Sequence, residues 1–297
     1  MTGRLRDAPR LVGGLMLALA GLMTAGPAAA TVHVVAAENF YGALARTIGG
    51  AHVEVFSVLS DPGVDAHLFE ARPSTARRIA DADVVIDNGL GYDDWMTHLL
   101  DVAGDSGARH VITAARVMHT PADANPHLWY APELWPALAR RIARVFSEVD
   151  PAHAGVYRAN AADFVTRFAA VTKRIAALRA QTAGTPVTAT EPVFGYMAAA
   201  LGFRMENQAF QNAVMNDTEP SARQVAAFEQ SLSDRRVRML FYNRQVEGRT
   251  TAHLLSRAKQ HNVPVVGVTE TMPTDATPIG WLVSTLDAVG RAMDASS

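Results

Sequence analysis

The segment from Asp150 to Gly184 constrains the fold more than any other stretch. Its apolar residues Phe164, Phe168, Val171, Ile175 and Leu178 are spaced by four, three, four and three, the period of one helix face. Asp150 suits an N-cap, Pro151 the first helical position and Gly184 the stop. A two-helix hairpin would need a breaker near the middle, and residues 152–182 offer only Gly155, close to the start. One helix is therefore expected. Some 30 residues at 1.5 Å each reach roughly 45 Å, the length of a strut joining two lobes.

On either side of this strut, short β-branched runs alternate with turns and helical patterns, the mark of βα units around parallel sheets. Strands are expected at Val32–Ala37, Val53–Leu59, Asp83–Asp87 and His110–Ala115, and again at Pro186–Thr190, Phe203–Ala209, Val237–Tyr242 and Pro264–Val268. The expected fold is α/β: two similar lobes, each a mostly parallel four-stranded sheet with flanking helices, joined by one long rigid helix. The expected division is a signal peptide over 1–30, an N-terminal lobe over 31–150, a linking helix over 151–183 and a C-terminal lobe over 184–297.

The signal peptide is read from Arg4, Arg6 and Arg10, the apolar run Leu11–Met23 and the small residues ending Ala28-Ala29-Ala30. That run is short against the roughly 20 apolar residues of a membrane span. The 267 residues from 31 onward contain no later apolar stretch long enough to cross a bilayer. With no cysteine, disulfides, thiolate metal sites and a lipid-modified cysteine are excluded, so a free periplasmic protein is expected. The net charge is −2 and only two of the 27 basic residues are lysine, so no basic patch stands out. Nucleic acid and anionic membranes are poor partners for such a chain.

Four residues suit a divalent transition metal, which takes imidazole nitrogen and carboxylate oxygen from rigid elements. His67 lies past the second expected strand and His127 past the fourth, while Glu191 and Glu270 each end a strand in the second half. All four stand at carboxyl ends of strands, where open α/β sheets place their ligands. Spacings of 60, 64 and 79 residues are unlike a zinc finger and suit a cleft that closes on its ion, two ligands from each lobe. The bland reading of any one of the ten histidines is a surface or hydrogen-bonded residue; His67 and His127 stand apart because Pro, Asp, Asn and aromatic neighbours can fix the ring. His33, His52, His98, His110, His119, His153, His253 and His261 are read as structural or exposed. Glu191 competes with a helix-capping role, and Glu270 with Asp275, five residues on, as the fourth ligand.

At these residues the chain resembles the zinc and manganese solute-binding proteins of ABC transporters, the group that includes the TroA-like receptors. The resemblance spans residues 31–297. It rests on Asp65-Ala66-His67-Leu68-Phe69-Glu70, Arg72-Pro73-Ser74, Asn125-Pro126-His127-Leu128-Trp129 and the run from Glu191 to Gly202. It implies two α/β lobes joined by a long helix, one Mn2+ or Zn2+ as transported ligand, a membrane permease as partner, a monomer and no enzymatic activity. Many relatives carry Asp where Glu270 stands, and zinc-specific ones often carry a histidine-rich loop that is missing here. The carboxylate pair and the missing loop lean the reading toward manganese.

Two neutral imidazoles and two carboxylates around a dication give zero net charge, which makes burial tolerable. Affinity is expected to fall as pH drops through the histidine range near 6.5. Rival readings are a two-lobed receptor for an organic chelate such as a siderophore or haem, and a secreted metallohydrolase. The first calls for aromatic or Arg residues lining the cleft; the second needs an open coordination position and a general base, and no His-Glu-x-x-His occurs.

Overall fold

Eight strands form two sheets of the same design. The computed structural model describes residues 31–61, 73–104, 107–246 and 248–295, together with Thr2. In the first half β1 (Val32–Glu38), β2 (Val53–Leu59), β3 (Val84–Asp87) and β4 (His110–Thr113) are ordered β2-β1-β3-β4; in the second, β5 (Pro186–Ala189), β6 (Arg204–Glu206), β7 (Leu240–Asn243) and β8 (Val265–Val268) are ordered β6-β5-β7-β8. Every pairing is parallel. From Val34 onward β1 is buried on both faces, as a sheet with helices on each side requires. The helices are α1 (Asn39–Gly49), α2 (Pro73–Ala80), α3 (Asp94–Ala103), α4 (Ala114–Met118), α5 (Leu134–Val149), α6 (Ala154–Thr182), α7 (Gly195–Ala200), α8 (Gln208–Met215), α9 (Ala222–Ser233), α10 (Arg249–Gln260) and α11 (Pro278–Ala295). Among the described residues no helix is long and apolar enough to cross a membrane. The expected signal peptide lies outside the described residues apart from Thr2.

The strut is a single helix, α6, of 29 residues. It begins later than its capping signals suggest, because Pro151–His153 forms a 3-10 turn first. Asp150 does not cap a backbone amide; its carboxylate accepts from the Tyr157 hydroxyl at 2.6 Å and meets His153 Nδ1 at 2.7 Å. Phe164, Phe168, Val171, Ile175 and Leu178 are all buried, as their spacing predicts. At about 1.5–3 kcal/mol for each such side chain, this face outweighs the half-exposed Arg174–Asp287 pair, worth at most about 1 kcal/mol. The helix is tied at both ends, by Asn160 to the Ile48 carbonyl and by Thr182 to the Leu201 carbonyl.

Three strands differ from expectation by more than one residue at an end. Asn207 turns into the left-handed region (φ 57°) and donates to Thr188 and Ser231, so β6 stops at Glu206 and α8 follows. Extended pairing reaches only Leu240–Asn243 of the run from Val237, and Ala114 opens α4 where β4 was expected to continue. Short apolar runs do not distinguish strand from buried helix or turn. Arginines also gather where composition gave no sign of it: Arg116, Arg140, Arg141, Arg144 and Arg158 line two grooves along α5.

One hydrophobic core runs through both halves, from Val32 to Met293. At the base of the cleft Phe40 and Tyr130 of the first lobe meet Trp281 of the second, with ring centroids 5.8 and 5.4 Å apart, and Tyr130 meets Phe194 at 5.1 Å. Asn39 seals the same seam, donating to the Met272 carbonyl at 2.7 Å and accepting from its amide at 3.0 Å.

Candidate metal centre

The second lobe brings its two carboxylates together through an amide. Glu191 follows β5, Asn243 ends β7 and Glu270 follows β8, three neighbouring strands whose carboxyl ends face the cleft. The Asn243 side-chain nitrogen donates to Glu191 Oε2 at 2.7 Å and to Glu270 Oε1 at 2.5 Å. Its carbonyl oxygen accepts from the Gln245 amide, which fixes which end of the amide faces the carboxylates. Gln245 in turn accepts from the amides of Glu270 and Thr271 and donates to the Thr271 hydroxyl. All of Glu191, Asn243 and Glu270 are buried.

The first lobe supplies His127, fully buried. Its Nδ1 lies 2.5 Å from Asn125 Oδ1, which also accepts the His127 amide. Because Asn125 uses its own NH2 on the Pro192 carbonyl, Oδ1 is the acceptor and Nδ1 carries the proton. The neutral ring then has its lone pair on Nε2, the atom a metal takes. Behind this loop Asn88 donates to the Pro126 carbonyl at 2.9 Å and accepts from the Tyr41 hydroxyl at 2.7 Å. Gly89 makes the turn after β3 with φ 79°, and a Cβ there would lie 2.7 Å from Thr113.

Tyr92 joins the two walls. Its ring stands 6.1 Å from that of His127, and its hydroxyl donates to Glu270 Oε2 at 2.9 Å. Burial first, then the carboxylates of Glu270 and Glu38, push its phenol well above the usual range, so it remains a donor. Tyr196 closes another side of the seam by donating to the Asn125 carbonyl.

A second set of carboxyl groups, Glu38 at the end of β1, Asp87 at the end of β3 and Asp93 just before α3, is likewise buried in the first lobe. Glu38 is fully buried with the Asp93 carboxyl group against it. Burial, with Asp93 and Asp87 nearby, drives its proton affinity well up. Burial raises Asp87 to about 6, and burial with Asp87 alongside raises Asp93 to about 7, although Asp93 accepts the amides of Asn88 and Gly89.

Of the four expected ligands, Glu191 and Glu270 meet through Asn243, and His127 stands across the cleft beside Tyr92. His67 lies outside the described residues. Among the described residues no three His, Asp or Glu side chains form a metal-holding group by themselves. Asp275 is exposed, whereas Glu270 is 1% exposed. His119 is exposed and ends α4 in the left-handed conformation, His33 pairs with Glu54, His253 with Glu229, and His52 stacks on His153. Sequence reasoning missed Asn243, Gln245 and Tyr92, none of which is a usual ligand type.

A family model described as zinc-uptake complex component A, periplasmic (ZnuA), matches residues 34–292. The chain belongs to this family. A putative metal-binding protein of Treponema pallidum is 27% identical to this ZnuA-family chain over 229 residues, 71% of each. The manganese-binding lipoprotein MntA of Bacillus subtilis is 26% identical over 237 residues, 75% of each. Among solved structures, FpvC of Pseudomonas aeruginosa in complex with Mn2+ superposes with a TM-score of 0.73 at 22% identity, covering 90% of this chain and 100% of that one. The periplasmic zinc-binding protein TroA of Treponema pallidum gives 0.73 at 18% identity, covering 89% and 99%. The two sheets and the long helix are thus the fold of these ZnuA-like receptors.

Proposed function

We propose that this chain captures one divalent transition-metal ion, Mn2+ or Zn2+, between its two lobes and delivers it to the permease of an ABC importer. The observation that carries the reading is the meeting of Glu191 and Glu270 on Asn243, buried and bridged by Tyr92 to the wall that holds His127. His67 and His127 from residues 31–150 and Glu191 and Glu270 from residues 184–297 are the ligands, with residues 151–183 as the link. The set is charge-neutral once a dication is bound, so the buried carboxylates are compensated by cargo rather than by a resident cation. The metal-binding relatives support this choice of cargo.

The protein acts as a monomeric receptor and not as an enzyme. It is exported by residues 1–30 to the periplasm without a lipid anchor, since it has no cysteine to carry one. Closure on the ion is modest, because α6 and the aromatic seam hold both lobes. Elemental analysis of untagged protein purified without chelators tests the reading: wild type should carry about one equivalent of metal, and His127→Ala and Glu191→Ala far less. Equal trace metal in all three would sink it.

A further inference from the structure

The hydrogen bonds that carry His127 do not stay within its own lobe. We infer that Asn125, Gly195 and Tyr196 form a latch between the lobes, and that captured metal leaves only when this latch opens. Asn125 is then a positioning residue for release as well as for the His127 ring. The inference rests on the metal-capture reading and concerns how fast cargo is let go, whichever ion it is.

Asn125 works in two directions. Inside the first lobe its Oδ1 accepts from the His127 amide and ring. Across the seam its Nδ2 donates to the Pro192 carbonyl at 2.7 Å, and its backbone carbonyl accepts from the Tyr196 hydroxyl at 2.7 Å. Pro192 directly follows Glu191, so one side chain ties the imidazole of one lobe to the neighbour of a carboxylate in the other. Lobes that part here must break both bonds or drag His127 from its place.

Gly195 is an independent sign that the contact is built in. It opens α7 at φ −55° and ψ −49°, helical angles that need no glycine, and glycine weakens a helix relative to alanine. A Cβ there would lie 2.9 Å from Asn125 Nδ2. The bare backbone is what lets the amide reach Pro192.

Outside the latch a cavity of about 570 Å3 straddles the seam, with Asp123 and Asn125 on one wall and Pro192, Gly195 and Tyr196 on the other. Exposed Asp123 and Gln208 open it to solvent. His127 and Glu191 do not line it; they are buried behind Asn125 and Pro192. The latch therefore stands between the ion's place and open space, and its opening clears a way out.

Stopped-flow release of Co2+, a coloured probe ion, into excess chelator reads the latch, while the visible bands of bound Co2+ read the ligand set. Gly195→Ala and Tyr196→Phe should each speed release about fivefold with the bands unchanged, since neither alters a ligand. In an Asn125→Ala background Gly195→Ala should add nothing, because it acts only by displacing that amide. Release at the wild-type rate in both folded single variants would overturn the latch, whether or not Asn125→Ala folds. So would a Gly195→Ala effect that persists once the Asn125 side chain is gone. Faster release accompanied by altered bands would assign these residues to ligand geometry and overturn it too. Wild type that takes up no Co2+ would instead overturn the capture reading itself.

Discussion

The two lobes use the same strand order, yet they treat the carboxyl groups at their strand ends in opposite ways. In the second lobe, Glu191 and Glu270 share the Asn243 amide and face the seam where Tyr92 and His127 stand. In the first, Glu38, Asp87 and Asp93 crowd one another with proton affinities raised by burial. The counterpart of Asn243 there is Asn88, just past β3, and it faces the His127 loop instead of a carboxylate pair. One topology therefore yields a lobe whose strand-end amide gathers two carboxylates and a lobe whose strand-end amide braces the loop of an imidazole.

The largest expected effect separates the two carboxyl groups directly. Replacing both Glu191 and Glu270 by Gln should weaken metal binding about a thousandfold or more, while Glu38→Gln should change it less than about twofold. Titration calorimetry measures both, and similar losses in the two variants would erase the distinction. Next, Asn88→Ala removes bonds to Tyr41, Pro126 and Gly89 in a buried position. Denaturant unfolding of the metal-free protein should report a loss of about 3 kcal/mol. Tyr92→Phe deletes only the hydroxyl that reaches Glu270, so metal affinity should fall about tenfold with nearly unchanged melting.

A smaller effect has a defined pH dependence. Asp87 and Asp93 hold protons to about 6 and about 7 in the folded protein and Glu38 well above its usual range, whereas the unfolded chain releases them near 4. Folding therefore takes up protons above pH 4, and the stability these groups contribute is complete below that value and lost as pH rises through 6 and 7. Glu38→Gln should stabilise the metal-free protein at pH 8 and leave it unchanged at pH 4, read by thermal melts. An equal shift at both pH values would count against proton uptake by Glu38. Smallest of all, Arg174→Ala should cost about 0.5 kcal/mol and leave metal affinity alone.

Much of this arrangement is legible in the sequence, and the boundary is physical. A five-residue apolar stripe can bury itself in only one way, so the strut emerges from periodicity. His127 is recognisable because Asn125, two residues away, fixes its ring. Glu191 and Glu270 stand at strand ends, where topology places ligands. Asn243 occupies the same kind of position but carries no ligand-type side chain, since amides are poor ligands although good donors to ligands. Tyr92 reaches Glu270 across 178 residues of chain, and Asn39 reaches Met272 across 233. Such contacts depend on how the lobes meet, which no local pattern encodes.

The aromatic seam also sets the order in which the chain can mature. Phe40, Trp129 and Tyr130 belong to the first half, but Trp281, which packs against Phe40 and Tyr130, lies on the last helix. A chain emerging from its N-terminus leaves Phe40 and Tyr130 without their Trp281 contact until nearly all of it has been made. The first lobe's wall of the cleft is completed only when α11 arrives.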